Sequence, residues 1–386
     1  MKIKICFVAT QLGTIKAFVL RFASYLYNTG FYDISVITNY DDRYKAILQN
    51  FITYYPIKMR RGINLDGFNA IRKMKRLFKK ENFDIVQYCT PNASFYASIA
   101  SKKAHVPVRL YTQWGIRYIG FDKGIKRKLF KYIEKRICTN SNFIECESNS
   151  LLQFSLKEKL YNSSKASVVG LGSACGVDLK RFDISKKPLW RKEIRSRYGI
   201  NNDSVVFGYV GRITKDKGID ELLESFKNVL TVYSNAYLFI VGYYDSEKTL
   251  NLDLLQWAKR CPNVVFIDHT DEPERFFAAM DVFVSLSYRE GFGLVVIEAA
   301  SLGIPAIVSD ALGQIDTVHD GIDGLIAKTK NVTDVAEKMK FLINNRDSIA
   351  LFGKKAFEKV LSFFEQNCLF EKLEKKRKDY YFETRK

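Results

Sequence analysis

The chain has 386 residues, 47% of them hydrophobic, enough for two or three domains at about 150 residues each. Its net charge of +19 is unevenly spread: residues 1–180 hold 30 Lys+Arg against 12 Asp+Glu, whereas residues 201–350 hold 14 against 22. No apolar run approaches the roughly 20 residues that span a bilayer, and the opening "MKIKICFVAT" is too short and strand-like for a signal peptide. Seven scattered cysteines without a C-x-x-C read as reduced core thiols, and three histidines argue against a multi-histidine metal site.

In chain order, strands are predicted at 3–9, 34–38, 85–88, 108–112, 143–146 and 167–169, with helices between them such as 16–27 and 68–79. The charged, proline-containing stretch 183–190 is the expected domain boundary. Beyond it, strands are predicted at 205–210, 237–241, 264–267, 282–287, 306–308 and 324–326, separated by helices such as 219–232 and 332–343. This alternation implies parallel sheets with helices on both faces. The expected fold class is α/β, with two Rossmann-like domains, 1–182 and 190–363, facing across a cleft. The last segment, 364–386, follows a helix at 349–361 without an intervening strand and is expected to cross back onto the first domain.

Two stretches of the first half are basic and amphipathic. One carries Phe68, Ile71, Met74, Leu77 and Phe78 among its cations; the other carries Ile125, Leu129, Ile133 and Ile137. Each reads either as an ordinary half-buried helix or as a helix whose basic face suits an anionic membrane. On both readings the apolar faces are expected to pack on the sheet, leaving only the basic faces for lipid.

The chemistry concentrates in the second half. In "VVFGYVGRITKDKGIDELLESF" a strand runs into Gly211, Arg212, Lys215, Lys217 and Gly218, and a helix follows. Cations between a strand end and a helix N-terminus make an anion site, the alternative being a basic surface loop. In "SYREGFGLVVIEAASLGIPAIVSD" a strand, a glycine loop, a helix and a strand follow one another. Glu290 lies in the loop beside Gly291 and Gly293, which let a ligand approach the backbone. Glu298 lies about a turn into the helix, Gly303 ends it and Pro305 forbids its continuation. A lone pair of glutamates would read as surface residues, but alternating units bring both loops to one sheet edge, where nucleotides bind.

As a set, Gly211-Arg212, Lys217-Gly218, the block from Glu290 to Leu294 with Glu298, Gly303-Ile304-Pro305, the later "HDGIDG" and the "GVDLKRF" at 176–182 resemble one family. It is the retaining, metal-independent glycosyltransferases of the GT-B fold that carry the E-x7-E motif, bacterial capsular and surface polysaccharide transferases among them. The resemblance covers essentially the whole chain. It implies that Arg212 and Lys217 neutralise the diphosphate of a UDP-, dTDP- or GDP-sugar donor. Glu298 would accept bonds from the ribose hydroxyls, Glu290 would meet sugar hydroxyls near the reacting centre, and backbone N–H groups of Phe292, Gly293 and Leu294 would face sugar and phosphate. Gly13, in "TQLGT", would let the donor approach the first domain, although many relatives have two glycines there. With no D-x-D motif and two fixed cations, no metal or other cofactor is expected.

Trp114, in "YTQWGIRYIG", stands where many relatives carry a histidine before the glycine. It reads either as core filler or as an apolar wall for a 6-deoxy donor such as rhamnose. The implied acceptor is a polyprenyl-pyrophosphate-linked glycan, with the enzyme cytoplasmic and peripheral on the inner face of the plasma membrane, held to its anionic surface by the first domain. The alternatives are a sugar-nucleotide epimerase of the same fold and, from another class, a basic nucleic-acid-binding protein. Nucleic acid is not expected as a partner, because no binding motif accompanies the charge.

Overall fold

The computed structural model describes residues 2–59, 66–121, 123–244 and 249–385. The chain forms two compact units, residues 1–175 together with 367–386, and residues 176–366. The stretch 183–190, the expected boundary, lies inside the second unit, where a 3-10 turn (Ile184–Lys186) runs into a helix.

In the first unit the strands are β1 (Ile3–Val8), β2 (Tyr32–Thr38), β3 (Ile52–Pro56), β4 (Ile85–Tyr88), β5 (Val108–Gln113), β6 (Phe143–Cys146) and β7 (Ala166–Val168). Between them run α1 (Leu12–Phe18), α2 (Leu20–Asn28), α3 (Tyr44–Ile47), α4 (Asp66–Glu81), α5 (Pro91–Lys103), α6 (Ile125–Asn140) and α7 (Asn149–Lys157). All strand pairs are parallel, in the order β3-β2-β1-β4-β5-β6-β7.

The second unit contains α8 (Lys187–Arg197), β8 (Val205–Val210), α9 (Ile219–Leu230), β9 (Ala236–Val241), α10 (Leu252–Arg260), β10 (Val264–Ile267), α11 (Pro273–Ala279) and β11 (Val282–Ser285). It continues with α12 (Leu294–Ser301), β12 (Ala306–Ser309), β13 (Gly324–Ala327), α13 (Val332–Asn344) and α14 (Arg346–Lys359), and α15 (Gln366–Glu383) ends the chain. Its strands are also parallel, ordered β10-β9-β8-β11-β12-β13. Central β8 has Phe207 opposite Leu238 on one side and Val282 on the other, so the exits of β8, β9 and β11 lie next to one another.

Local chemistry accounts for the element ends. Ser148, Asn251 and Asn331 each accept a bond from an N–H of the first helical turn that follows, and Pro91 and Pro273 occupy first-turn positions that need no N–H. The helix expected at 16–27 is two helices, broken at Val19, where φ opens to −114°. Gly13 therefore stands in the first turn of α1 rather than in a loop.

The amphipathic stretches divide differently from expectation. Met74 and Phe78 of α4 and Ile133 and Ile137 of α6 are buried, but Phe68 is 73% exposed, Ile125 85% and Leu129 42%. Only part of each apolar stripe reaches the sheet.

As expected, the C-terminal helix packs on the first unit. Phe370 meets the Phe22 ring at 5.3 Å, Tyr380 stacks on Phe143 at 4.1 Å, and Arg377 donates to Glu145 at 2.6 Å and to Gln87 at 3.2 Å. Both ion-pair partners are buried, so removing either would strand a charge.

A second buried polar group of this unit makes stability depend on pH. Glu134 accepts from Tyr111 Oη at 2.9 Å and from Gln113 Nε2 at 2.7 Å. Burial pushes its carboxyl up to about 7, against these two bonds, which lower it. The folded state thus holds the proton more tightly than the unfolded chain. This contribution to stability is complete below about 4.5, the ordinary value, and is lost as pH rises to about 7. The loss is on the order of 3 kcal/mol. Glu134→Gln keeps an acceptor oxygen and cannot ionise, so its melting temperature should fall less than that of the native chain across this window. Parallel melting profiles for the two proteins would rule out Glu134 as the source.

Candidate functional site

The exits of β8, β9 and β11 are held together by backbone contacts that only glycine permits. Gly211 donates to Val241 at 2.9 Å, Ile213 donates to Tyr243 at 2.9 Å, and a Cβ on Gly242 would stand 1.8 Å from the Gly211 carbonyl oxygen. The Arg212 carbonyl accepts from Tyr209 Oη at 2.6 Å, fixing the turn from which the exposed Arg212 side chain projects. Next comes a 3-10 turn, Lys215–Lys217, and then Gly218 at φ +72°, where a Cβ would meet the Leu286 carbonyl at 2.3 Å. The start of α9 is thus pressed against the exit of β11.

Across that junction Lys217 Nζ is ion-paired and hydrogen-bonded with Glu290 Oε1, and Ser287 Oγ donates to the same oxygen at 2.8 Å. Each partner of the ion pair keeps about a fifth of its side chain exposed, so both remain within reach of a ligand. Tyr288 N–H donates to the Asp216 carbonyl at 2.9 Å, a second tie between the loops. Burial raises the Asp216 carboxyl, but the Thr214 hydroxyl and the charges of Arg289, Lys217 and Arg212 outweigh it and hold the group below its usual range.

A third loop supports Glu290 from behind. Glu290 N–H donates to the Leu312 carbonyl at 3.1 Å. At Gly313, φ +81°, a Cβ would lie 2.5 Å from the Glu290 carbonyl oxygen and 2.6 Å from that of Gly291. Gln314 is wholly buried and donates to the Ser285 carbonyl at 2.5 Å, while Ser309 Oγ donates to that of Ser287 at 2.6 Å. Gly293, at φ +111°, caps α12, whose first N–H groups have no partner within the helix. Glu298 follows Leu294 by four residues, on the same helix face and partly exposed. Phe292 is a core residue, its ring 5.3 Å from Phe364, so only its backbone faces the loop.

The structure therefore joins Lys217 directly to Glu290 and sets Arg212 and Glu298 on neighbouring elements of the same unit. Gly13 and Trp114 belong to the other unit. There Trp114 leaves β5 half-buried, its ring 5.2 Å from that of Phe18, and lines a small concavity with Phe22, Thr112, Glu147 and Arg377. Sequence reasoning missed Ser287, Asp216 and Gln314, for which no periodicity or spacing gives a signal. It also missed the role of Asp323 in the quoted "HDGIDG". Asp323 accepts from Lys359 Nζ at 2.6 Å and from the His319 backbone at 2.8 Å, anchoring that turn to α14.

A family model for glycosyl transferases group 1 matches residues 191–359, and one for glycosyl transferase 4-like domains matches residues 4–148. The chain is 34% identical to the Staphylococcus aureus capsular polysaccharide biosynthesis glycosyltransferase CapM, over 82% of this chain and 83% of that one. It is 26% identical to an Escherichia coli UDP-Gal:alpha-D-GlcNAc-diphosphoundecaprenol alpha-1,3-galactosyltransferase, over 86% and 80%. Anabaena Alr3699/HepE, crystallised with UDP and glucose, superposes with a TM-score of 0.80 at 17% identity, over 98% and 100%. The chain belongs to the group 1 glycosyl transferases, and its two parallel-sheet units match GT-B structures.

The Gly313 contact is open to test. Gly313→Ala must displace the Glu290 carbonyl and adopt a positive φ, and should destabilise the second unit by about 1–3 kcal/mol. Amides 287–293 should then exchange hydrogen faster. Gly321→Ala shares the positive φ but meets nothing within 4 Å, so it should leave that exchange unchanged. Equal acceleration in both variants would dissociate the Glu290 loop from Gly313.

Proposed function

We propose that this glycosyltransferase moves a sugar, with retention of configuration, from a nucleoside diphosphate donor to a polyprenyl-diphosphate-linked glycan in capsular or surface polysaccharide synthesis. The observation that carries the reading is the Lys217–Glu290 pair at the strand exits, with Arg212 on the same loop and the α12 N-terminus beside it. The names of the relatives support it, since one acts on a diphosphoundecaprenol acceptor and another is a capsular polysaccharide enzyme. The UDP and glucose in the Anabaena structure favour a nucleotide-sugar donor.

The mechanism follows from where charge develops. As the anomeric C–O bond to the donor phosphate breaks, the diphosphate gains negative charge and the sugar becomes oxocarbenium-like. Arg212 grips the diphosphate through its planar fork, while Lys217 shares its charge between Glu290 and the departing oxygens. The α12 dipole adds to both. Glu298 receives the ribose hydroxyls, and backbone N–H groups of Phe292, Gly293 and Leu294 face sugar and phosphate. Glu290, held by Lys217 and Ser287, orients the sugar hydroxyls. The acceptor hydroxyl attacks on the face the phosphate leaves, forming the new C–O bond, and its proton passes to the departing phosphate oxygen. Fixed cations in the place of a metal make turnover independent of divalent ions.

On the first unit, Gly13 leaves room for the donor and Trp114 walls its sugar, favouring a 6-deoxy donor such as rhamnose. The basic surface of residues 1–180 faces anionic lipid, placing the enzyme peripherally on the cytoplasmic face of the membrane. Among the described residues no helix is long and apolar enough to cross it.

Arg212→Ala and Lys217→Ala should each lower kcat by a factor equivalent to about 2–4 kcal/mol, as loss of one preorganised donor does, with assays run in EDTA. A double variant with native kinetics, or a native enzyme dead in EDTA and revived by Mn²⁺, would refute the assignment of the diphosphate to these cations.

Trp114→His should shift relative kcat/KM from a 6-deoxy donor toward its hydroxylated counterpart on the same nucleotide. The change is limited to the ~1–3 kcal/mol that one methyl contributes. Affinity for the free nucleoside diphosphate should hardly move. A native preference for the 6-hydroxylated sugar would make Trp114 a packing residue.

A further inference from the structure

The exposed faces of α4 and α6 carry more than charge. Along α6, Ile125, Leu129, Tyr132 and Arg136 recur at i, i+4, i+7 and i+11 and form one stripe. Ile125 is 85% exposed, Leu129 42% and Tyr132 60%. Exposed Lys126 flanks the stripe on one side, and exposed Lys128 and Lys135 flank it on the other. A helix that only closed the core would bury its apolar stripe. Here Ile133 and Ile137 already make that contact, and the Ile125–Tyr132 stripe is a second, outward one.

The stripe is held firmly. Arg127 donates to the Phe121 carbonyl at 3.0 Å, Lys131 pairs with Glu158 at 2.7 Å, and Phe130 stacks on Phe121 at 5.1 Å. These contacts also engage the side chains of Arg127 and Lys131 with neighbouring groups of the protein. Lys126, Lys128 and Lys135, beside the stripe, are exposed.

On α4, Phe68, 73% exposed, leads Arg72 and Arg76 on the same face. Both helices pack against α5 and follow strands of one parallel sheet, so they run antiparallel to it. Their first turns, with Phe68 and Ile125, therefore lie at the edge where the strands end. This is the edge at which ligands meet such sheets.

We propose that the N-terminal ends of α4 and α6 insert Phe68, Ile125, Leu129 and Tyr132 into the headgroup–acyl boundary of an anionic bilayer, with the flanking lysines on its phosphates. The proposal rests on the reading of the acceptor as lipid-borne, and adds to electrostatic attraction an apolar anchor that brings the sheet edge to the lipid surface. A bilayer fits this face better than a second copy of the chain. Residues 1–180 hold 30 Lys+Arg against 12 Asp+Glu, so self-association here would oppose like charges, whereas anionic lipid complements them. Isoleucine, leucine and phenylalanine with a tyrosine and snorkelling lysines also match the depth profile of an interfacial helix.

The test is co-sedimentation of the full chain with vesicles containing one third phosphatidylglycerol, at about 0.1 M and about 1 M NaCl, where the Debye lengths are about 10 and 3 Å. The native chain should bind more weakly at high salt but still measurably. Ile125→Asp combined with Leu129→Asp should reduce binding by roughly tenfold or more at both salts. Lys126→Gln with Lys128→Gln and Lys135→Gln should reduce it at low salt only. Because all five positions are exposed, melting temperature and the stabilisation conferred by whichever of UDP, dTDP and GDP binds should be unchanged. Undiminished binding of the aspartate variant, complete release of the native chain at high salt, or conversion of a native dimer to a monomer by the aspartates would overturn the proposal. If this vesicle pattern is found but none of UDP, dTDP and GDP stabilises any variant, including the native chain, insertion stands and the donor reading falls.

Discussion

The candidate site depends on a single contact, the ion pair that Lys217 makes with Glu290 across 73 positions of sequence. As a contribution to stability it is small. A partly exposed salt bridge is worth about 0–1 kcal/mol, because side-chain entropy and water offset the attraction. Its importance is geometric. It fixes the ammonium group between two loops, and in the proposed mechanism that leaves no reorganisation to be made when charge develops nearby. The glycines explain why the fixing works. Gly211 against Gly242, Gly218 against Leu286 and Gly313 against Glu290 let three loops approach within backbone contact distance, and a side chain at any of these points would spread them apart.

Buried cations do comparable work away from the site. Arg377 joins α15 to Glu145 at the end of the first sheet. Arg195 reaches the Ala279 and Ser204 carbonyls and Asp281, tying α8 to the start of β11. Lys359 joins α14 to Asp323 and to the Thr317 carbonyl, and burial lowers its pKa against the stabilising pull of Asp323. Each carries a desolvation cost that an apolar residue would avoid, and each fills its donors with partners remote in sequence. Such groups select one packing among several of similar hydrophobic burial. That suits a chain whose last helix packs on the unit built from its first 175 residues.

Much of this was legible in the sequence, and the parts that were not share a cause. Long apolar runs located both sheets, because a strand buried on both faces needs no alternation to be recognised. β3 escaped because "ITYYP" mixes tyrosines with a terminal proline and buries only Ile52 fully, as an edge strand does. Lys217 and Glu290 were each identifiable from their loops, but their pairing is a tertiary fact, and Ser287 and Gln314 act through bonds that leave no periodic trace. The misreading of α6 is more instructive. Periodicity shows that apolar residues share a face. It does not show which of two such faces meets the sheet, and with Ile133 and Ile137 satisfying the core, Ile125 and Leu129 were free to turn outward.

Under the proposed function, the uneven charge suits the two units to different partners for one physical reason. Under the proposed reading the second unit binds a diphosphate although residues 201–350 carry 22 acidic against 14 basic residues, so its attraction for the anion is local, supplied by Arg212, Lys217 and a helix end. At distances beyond the ~8–10 Å Debye length that local pattern vanishes, and residues 176–366 as a whole hold 25 Lys+Arg against 27 Asp+Glu, close to neutral. An anionic surface is then nearly indifferent to it. The first unit differs, and its basic excess persists along the exposed faces of α4 and α6. Under the proposed reading, orientation on the membrane needs no dedicated receptor: near-neutrality of one unit and attraction of the other suffice to turn the outward stripe of α6 toward the lipid.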